Sequence, residues 1–298
     1  MDTDTTPPRT AFLVELLGSF GFVFVVAGVV CVNQVAQPHV EGVSAGQEHL
    51  FAHQPGLVGI ALAQGLMLAA LLSVTLWVSP GCLNPAIVLM NWVLGRLNTA
   101  RMALLLVAQL IGGVLAGACL RLSFQNEILR AARMGTPHWN ALAYGHMTQA
   151  SLLTGTLVEL GLTFFLVLVI LCALRDGPRT AAWSGGLALA ALTLIGFPLT
   201  GAALNPVRWF GTVFWEFTVP SPVTTPEEGP FPLRDVFVYA AGPVLGALLA
   251  GIVHARLLAP AQEAAEAARA ASAASWAGAS RRAWMTPVSR APTTGPAA

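Results

Sequence analysis

Two short stretches decide the fold of this chain: GCLNPAIVLMNW at residues 81–92 and GAALNPVRWFGTVFW at residues 201–215. In each, an asparagine directly precedes a proline. This is typical of a helix start, because asparagine caps free N–H groups and proline takes the first helical position without losing a hydrogen bond. Each stretch stays apolar for only about ten residues beyond its proline, half of what a membrane span needs. Two such half-helices, entering a bilayer from opposite faces and meeting end to end, would complete one crossing of about 30 Å.

The composition of the whole chain agrees with a membrane location. Of its 298 residues, 55% are apolar and 10% are charged, whereas a typical soluble chain carries about 25% charged residues. The spare apolar surface must therefore face lipid. We predict an all-α membrane protein with two re-entrant half-helices and six transmembrane helices, the latter at about 11–32, 56–78, 102–121, 152–174, 181–200 and 236–258.

The same sequence argues against several classes of function. A net charge of +1 gives no basic field for nucleic acid. No nucleophile triad or phosphate loop is visible, so we expect neither an enzyme nor a cofactor. The four cysteines include no CxxC pair, which argues against a zinc site or a disulfide framework. His49 and His53, four residues apart in the first loop, are interpreted as part of a solvated loop, and no metal site is expected.

An internal repeat relates the two halves of the chain. Val14-Glu15-Leu16-Leu17-Gly18 in the first predicted span corresponds to Val158-Glu159-Leu160-Gly161 in the fourth. The Asn-Pro pairs follow the second and fifth spans, and small-residue stretches that include Gly112 and Gly246 lie in the third and sixth. Because each half holds three spans, the halves must be inverted with respect to each other. This arrangement places a binding path at the midplane between the repeats.

These features together resemble the aquaporin (major intrinsic protein) family: two Asn-Pro-Ala-type half-helices, each after the second span of a three-span repeat whose first span carries a glutamate. The resemblance covers roughly residues 11–258. The first motif is Asn84-Pro85-Ala86. The second motif is Asn205-Pro206-Val207, in which valine replaces the alanine of the family. The two additional methyl groups of valine affect how closely the half-helix tips can pack. The resemblance implies a homotetramer with one pore per subunit.

Arginine counts predict the orientation of such a channel. With both termini in the cytoplasm, ten arginines lie on the inner side and four on the outer side, when Arg208 is set aside. We expect a cytoplasmic N-terminus at 1–10 and a channel domain at 11–258, with repeats at about 11–122 and 152–258. Residues 259–298 are expected to form a cytoplasmic alanine-rich helix, at about 261–276, and a disordered tail. The expected location is the plasma (inner) membrane.

Asn84 and Asn205 are the candidates for the centre of the pore. Each would lie at the positive end of a half-helix dipole and donate to a passing water oxygen. Water held by two donors cannot relay protons along a file, and the positive potential repels cations.

Arg208 follows the second motif at membrane depth, where an unpaired guanidinium costs several kcal/mol unless it faces water or carbonyl groups. By the resemblance it is the selectivity-filter arginine, and the other filter positions fall on Gln64, Thr193 and Ala202. These side chains lack the bulky rings of a strict water pore, which predicts a wider opening unless Gln64 reaches across toward Thr193. Helix packing is the alternative interpretation for Gln64 and Thr193.

Glu15 and Glu159 are the only acids inside the predicted spans, a position that commonly indicates function. Proton coupling is one interpretation. The preferred one, implied by the resemblance, is that each carboxylate accepts hydrogen bonds from the backbone of a re-entrant loop. Cys82, two residues before Asn84, is a pore-lining candidate.

The sequence therefore favours a passive transmembrane water channel that excludes protons and ions, with water, membrane lipid and possible small neutral solutes as its partners. A facilitator of small neutral solutes (urea, ammonia, hydroxylated acids or glycerol) shares the fold and differs at the filter. A proton-coupled carrier and a non-conducting structural membrane protein are further alternatives.

Overall fold

The computed structural model describes residues 6–35, 55–79, 83–139, 149–220 and 233–285, and every regular element within them is helical. The first repeat contains α1 (Pro8–Val35), α2 (Gly56–Thr75), α3 (Pro85–Val93) and α4 (Thr99–Ser123). A short α5 (Asn126–Ala131) and a 3-10 turn (Arg133–Gly135) follow.

The second repeat contains α6 (Gln149–Ala173), a 3-10 turn (Leu174–Asp176), α7 (Pro178–Thr200) and α8 (Pro206–Glu216). Its last span is built from α9 (Leu233–Val236), a π-helical stretch (Phe237–Ala241) and α10 (Gly242–Val253). A second π-helical stretch (His254–Leu258) and α11 (Ala259–Met285) complete the described chain.

The predicted fold class is confirmed. Within the described residues, six helices are long and apolar enough to cross a membrane, and they match the six predicted runs within a few residues at most ends. The half-helices α3 and α8 are 9 and 11 residues long, so neither can span a bilayer alone. Only 33–44% of the most apolar 18-residue window of each long helix is buried inside the chain. The remaining apolar side chains, such as Leu17, Leu66 and Leu187, are exposed and suited to a lipid surface.

Helix packing follows the inverted repeat. Within the first repeat α1 packs on α2 and α4, and within the second α6 packs on α7 and α10. Between the repeats α2 packs against α7, α4 against α8 and α10 against α3. Each half-helix is therefore held by the third span of the opposite repeat.

Glycine permits the closest crossings. A Cβ atom on Gly112 of α4 would collide with the carbonyl oxygen of Leu16, and one on Gly246 of α10 would collide with that of Leu160. These contacts occupy equivalent places in the two repeats. They agree with the interpretation of the small-residue stretches as sites of close helix packing.

The chain divides into two compact units after His254. The second unit is mainly α11, which continues to Met285, nine residues beyond the end predicted at 276. Residues 277–285 are thus helical where a disordered tail was expected. The reason lies in the sequence, since alanine remains frequent there and, after Pro260 in the first turn of α11, the next proline is Pro287.

Candidate functional site

Two asparagines begin the half-helices in the same way. Asn84 and Asn205 both have extended backbone conformations, with φ of −144° and −149°. The side-chain oxygen of Asn84 accepts from the N–H of Ala86 at 3.0 Å, and that of Asn205 accepts from the N–H of Val207 at 3.1 Å. Both motifs therefore act as N-caps, as asparagine before proline predicts.

The remaining polar ends of the two asparagines join the repeats. The amide nitrogen of Asn84 donates to the carbonyl of Leu204 at 2.9 Å, and that of Asn205 donates to the carbonyl of Leu83 at 2.8 Å. Each asparagine thus binds the residue that precedes the other one. Because an amide has two N–H groups, each keeps a second donor after this bond is made.

Leu83 and Leu204 have backbones of the left-handed type, with φ of 57° and 50°. This region is unfavourable for leucine and persists only when the surroundings fix it. Here both backbone polar groups of each residue are bound: the carbonyl by an asparagine, and the N–H by Glu15 at 3.2 Å or by Glu159 at 2.8 Å. The two tips are therefore fixed from two sides.

Glu15 is fully buried in α1, and its Oε2 atom accepts from Gln109 of α4 at 2.6 Å as well as from Leu83. Glu159 is fully buried in α6. Its carboxylate accepts from the hydroxyl of Thr200 at 2.6 Å, from the N–H of Ala203 at 3.0 Å and from Leu204. Each carboxylate thus accepts hydrogen bonds that lower the cost of its burial.

A small cavity lies where the tips meet. The cavity leaves about 10 Å³ of free space for the centre of a water molecule. This is close to the minimum needed to hold one water. Asn84 and Asn205 are the polar side chains of the lining, and the other side chains are apolar. The site thus combines two amide donors with apolar walls, formed by Phe22, Leu68, Ile87, Leu166, Ile170, Leu189, Ala203 and Leu204.

One helical turn from this cavity, Gln64 on α2 and Thr193 on α7 contact each other. The hydroxyl of Thr193 donates to the Oε1 atom of Gln64 at 3.2 Å. Both side chains are buried, and the Nε2 atom of Gln64 has no hydrogen-bond partner among the described residues. Gln64 therefore does reach across to Thr193 and leaves a donor group unengaged.

Arg208 lies in the first turn of α8 and is 1% exposed. All three nitrogens of its guanidinium lack a hydrogen-bond partner in the described part of the chain. Ala202 is fully buried, close to the space that a Cβ atom on Gly196 of α7 would occupy. The structure joins Gln64 to Thr193 directly, and it gives no hydrogen bond from Arg208 to either of them.

Comparison with known proteins identifies the family. The family model described as "Major intrinsic protein" matches residues 3–254. The chain belongs to the major intrinsic protein family. Aquaporin TIP4-4 of Zea mays is 35% identical over 82% of this chain and 84% of its own length, and Aquaporin Z of Photorhabdus laumondii is 27% identical over 83% and 97%. The structure of the aquaglyceroporin from Plasmodium falciparum has the same fold, with a TM-score of 0.66 and 19% identity over 85% of this chain and 98% of that one.

The resemblance to the aquaporin family is therefore confirmed, and the chain is a membrane channel of the major intrinsic protein family. Its departure at Val207 has a structural counterpart. A Cβ atom on Gly113 of α4 would lie 2.7 Å from the Cγ2 atom of Val207. Valine thus occupies space that glycine leaves open, and the half-helix tips still meet.

The carboxylate of Glu216 joins the end of α8 to the segment after α5. It accepts from Arg133 at 2.9 Å and contacts the His138 ring at 2.8 Å. Burial raises the pKa of Glu216, but His138 and Arg133 outweigh it, and the net pKa is lowered. A Cβ atom on Gly201, whose φ is 78°, would lie 2.9 Å from the N atom of His138. This segment therefore packs directly beside the loop that carries Ala202.

Several groups of the site carry no recognisable signal in the sequence. Gln109 and Thr200 complete the two carboxylate sites, and Tyr239 donates to the carbonyl of Thr200 at 2.9 Å. A buried glutamate in each repeat implied donors of this kind, but nothing in the sequence singled out their positions. Cys82 and the histidines of the first loop lie outside the described residues.

Proposed function

We propose that this channel conducts water passively and excludes protons and ions. The observation that carries the proposal is the reciprocal pair of hydrogen bonds between Asn84 and Leu204 and between Asn205 and Leu83. It holds the two amides beside one water-sized cavity, each with a second N–H group available to the same oxygen. Water oriented by two donors, between the positive ends of two helices, cannot pass a proton along a hydrogen-bonded file.

Arg208 supports the same proposal as the cationic side chain of the filter. A buried guanidinium with unengaged donors is costly unless it contacts water or a solute. Its charge would add to the barrier against cations. In this proposal Gln64, Thr193 and Ala202 form the rest of the filter, and Glu15 and Glu159 support the loops that precede the asparagines.

Specific contacts in the structure argue against the alternative functions. A proton-coupled carrier needs a carboxylate that faces an aqueous cavity, whereas Glu15 and Glu159 are fully buried and accept hydrogen bonds from the tips. A facilitator of larger neutral solutes needs a wide filter. The bond between Thr193 and Gln64 ties two filter side chains together, which favours water over urea or glycerol.

We further propose that the channel is a homotetramer with one pore per subunit and that both termini are cytoplasmic. The plasma (inner) membrane remains our proposed location. The domain boundaries at 11–258 and 259–298 belong to the same proposal.

Water conduction is tested with purified protein in proteoliposomes. Stopped-flow light scattering should show fast, low-activation-energy shrinkage in response to an osmotic step, and an internal pH dye should show no added proton leak. Shrinkage no faster than in empty vesicles would refute the proposal. The same result would support a non-conducting membrane protein.

A further inference from the structure

Arg101 is a buried cation outside the pore. It lies in the first turn of α4 and is 7% exposed. Its Nη1 atom donates to the carbonyl of Thr6 at 3.0 Å, just before α1. Its Nε and Nη2 atoms are buried without a hydrogen-bond partner among the described residues. A charged group left in this way costs free energy, which indicates a missing acceptor.

The two unengaged nitrogens lie on the same edge of the guanidinium. Nε–H and one N–H of Nη2 point in parallel and match a pair of oxygen atoms on one acceptor. This bidentate geometry is the one by which arginine binds carboxylate and phosphate groups. The third nitrogen, Nη1, is fixed by Thr6, so the edge is already oriented.

The surroundings of Arg101 add to the positive potential. Arg101 belongs to the N-terminal turn of α4, and long side chains on a helix commonly lean toward its N-terminus. That end of a 25-residue helix carries partial positive charge and attracts anions. The side chain of Asn98 caps the N–H of Arg101 at 2.8 Å, which defines the start of this turn.

Apolar packing holds this corner of the molecule together. Leu105, one turn further along the same face of α4, packs with Ala11 of α1, Val88 of α3 and Leu97 in a buried cluster. None of the ion pairs found among the described residues involves Arg101. The guanidinium is thus anchored by an apolar base and a carbonyl, with no carboxylate to balance its charge in that part of the chain.

We propose that Arg101 and the N-terminal turn of α4 form a binding site for a phosphate group, at the membrane face where α1 and α4 begin. Two phosphate oxygens accept from Nε and Nη2. The phosphate comes from a phosphate-monoester lipid head group or from a soluble phosphate, since both present the same oxygens. The site rests on the fold alone and is independent of what the pore conducts.

The test uses the full chain, purified in detergent and freed of lipid, with thermal unfolding as the readout. One arm adds inorganic phosphate against sodium chloride of equal ionic strength. The other adds phosphatidic acid in phosphatidylcholine bicelles against phosphatidylcholine alone. We expect at least one arm to raise Tm. If both arms raise Tm, the site accepts a phosphate group from either source. If only phosphatidic acid raises Tm, the site binds a lipid head group.

Matched variants locate the response. Arg101→Gln should weaken the apparent affinity roughly tenfold or more, because it removes a charge-assisted bidentate contact. Arg9→Gln removes the same charge from an exposed position on α1, one turn from Thr6, and should leave the response unchanged. Arg101→Lys keeps the charge without the two-donor edge and should give an intermediate loss. If Arg101→Gln does not fold, Arg101→Lys takes its place in the test.

Three results would overturn the proposal. The first is a parent protein that responds in neither arm, and the second is a response that survives in both Arg101 variants. The third is an equal loss in Arg9→Gln, which would indicate general charge attraction. Asp2→Asn combined with Asp4→Asn tests the carboxylates of the chain itself. A lower Tm in that variant, with no phosphate response in the parent, would assign the guanidinium edge to those residues instead.

Discussion

Val207 fits against Gly113: a Cβ atom at position 113 would lie 2.7 Å from its Cγ2 atom. The valine that departs from the family motif is thus matched by a glycine on the opposing helix. In the internal repeat, Gly113 corresponds to Ala247, and Val207 corresponds to Ala86. Of the two equivalent contacts between the repeats, one therefore combines a larger motif residue with a smaller partner, which predicts energetic coupling between the two positions.

Gly113→Ala should destabilise the protein by about 1–3 kcal/mol through overpacking, and Val207→Ala by about 1–2 kcal/mol through a lost buried contact. The double variant should be less destabilised than the sum, because alanine at 207 makes room for alanine at 113. Unfolding in detergent measures each cost. Gly161→Ala is the control, since its added Cβ meets nothing within 4 Å. Strict additivity would contradict the predicted coupling.

Gln64→Ala should admit small neutral solutes. The variant removes the side chain that Thr193 holds across the filter, so urea uptake into proteoliposomes should rise while water flux persists. Thr193→Val keeps the branched shape of the side chain and removes the hydroxyl that donates to Gln64. It therefore separates the effect of the Gln64 rotamer from the effect of side-chain size. Unchanged urea flux in both variants would place the narrowest point of the path elsewhere.

Arg208→Val should weaken the barrier to cations. The change removes the buried positive charge in the first turn of α8, and we expect larger proton or small-cation leak with water flux retained. A pH dye in vesicles with an imposed potential measures this leak. If a folded variant leaks no more than the parent, Arg208 is not part of the filter.

Glu159→Gln should disturb the second tip. The carboxylate accepts from Thr200, Ala203 and Leu204, and an amide replaces one acceptor oxygen by a donor. We expect a loss of about 2–3 kcal/mol and reduced water permeability per folded channel. If the protein were a proton-coupled carrier, Glu159→Gln would instead abolish the response of uptake to a pH gradient. Uptake measured in vesicles with and without such a gradient distinguishes the two cases.

Glu216 should contribute to acid sensitivity. Its folded-state pKa is lowered from the ordinary value of 4.5, because His138 and Arg133 together outweigh the effect of burial. The stabilisation is therefore fully present above pH 4.5 and is lost as the pH falls through the lower folded-state value. The Tm difference between the parent and Glu216→Gln should therefore shrink as the pH falls below that value. A difference that grows on acidification would contradict the direction of the shift.

The sequence predicted the six spans and both half-helices because length, hydropathy and the Asn-Pro pairs report directly on membrane depth and helix starts. It did not predict which acceptor each asparagine amide selects, since that depends on the left-handed backbone of Leu83 and Leu204. The contact between Gln64 and Thr193 is a rotamer choice made possible by the packing of α2 on α7. Gln109 and Thr200 became recognisable only once α1, α4, α6 and α7 were placed.

The reciprocal bonds between the tips have a consequence for how the chain is assembled. Because each asparagine binds a carbonyl from the other repeat, neither three-span half contains a complete tip. A half expressed alone would keep its glutamate and its half-helix. Its asparagine amide would lack an acceptor, and its leucine carbonyl would lack a donor. Two halves separated between α5 and α6 would therefore each be incomplete and would recover the central geometry only by pairing in the same membrane.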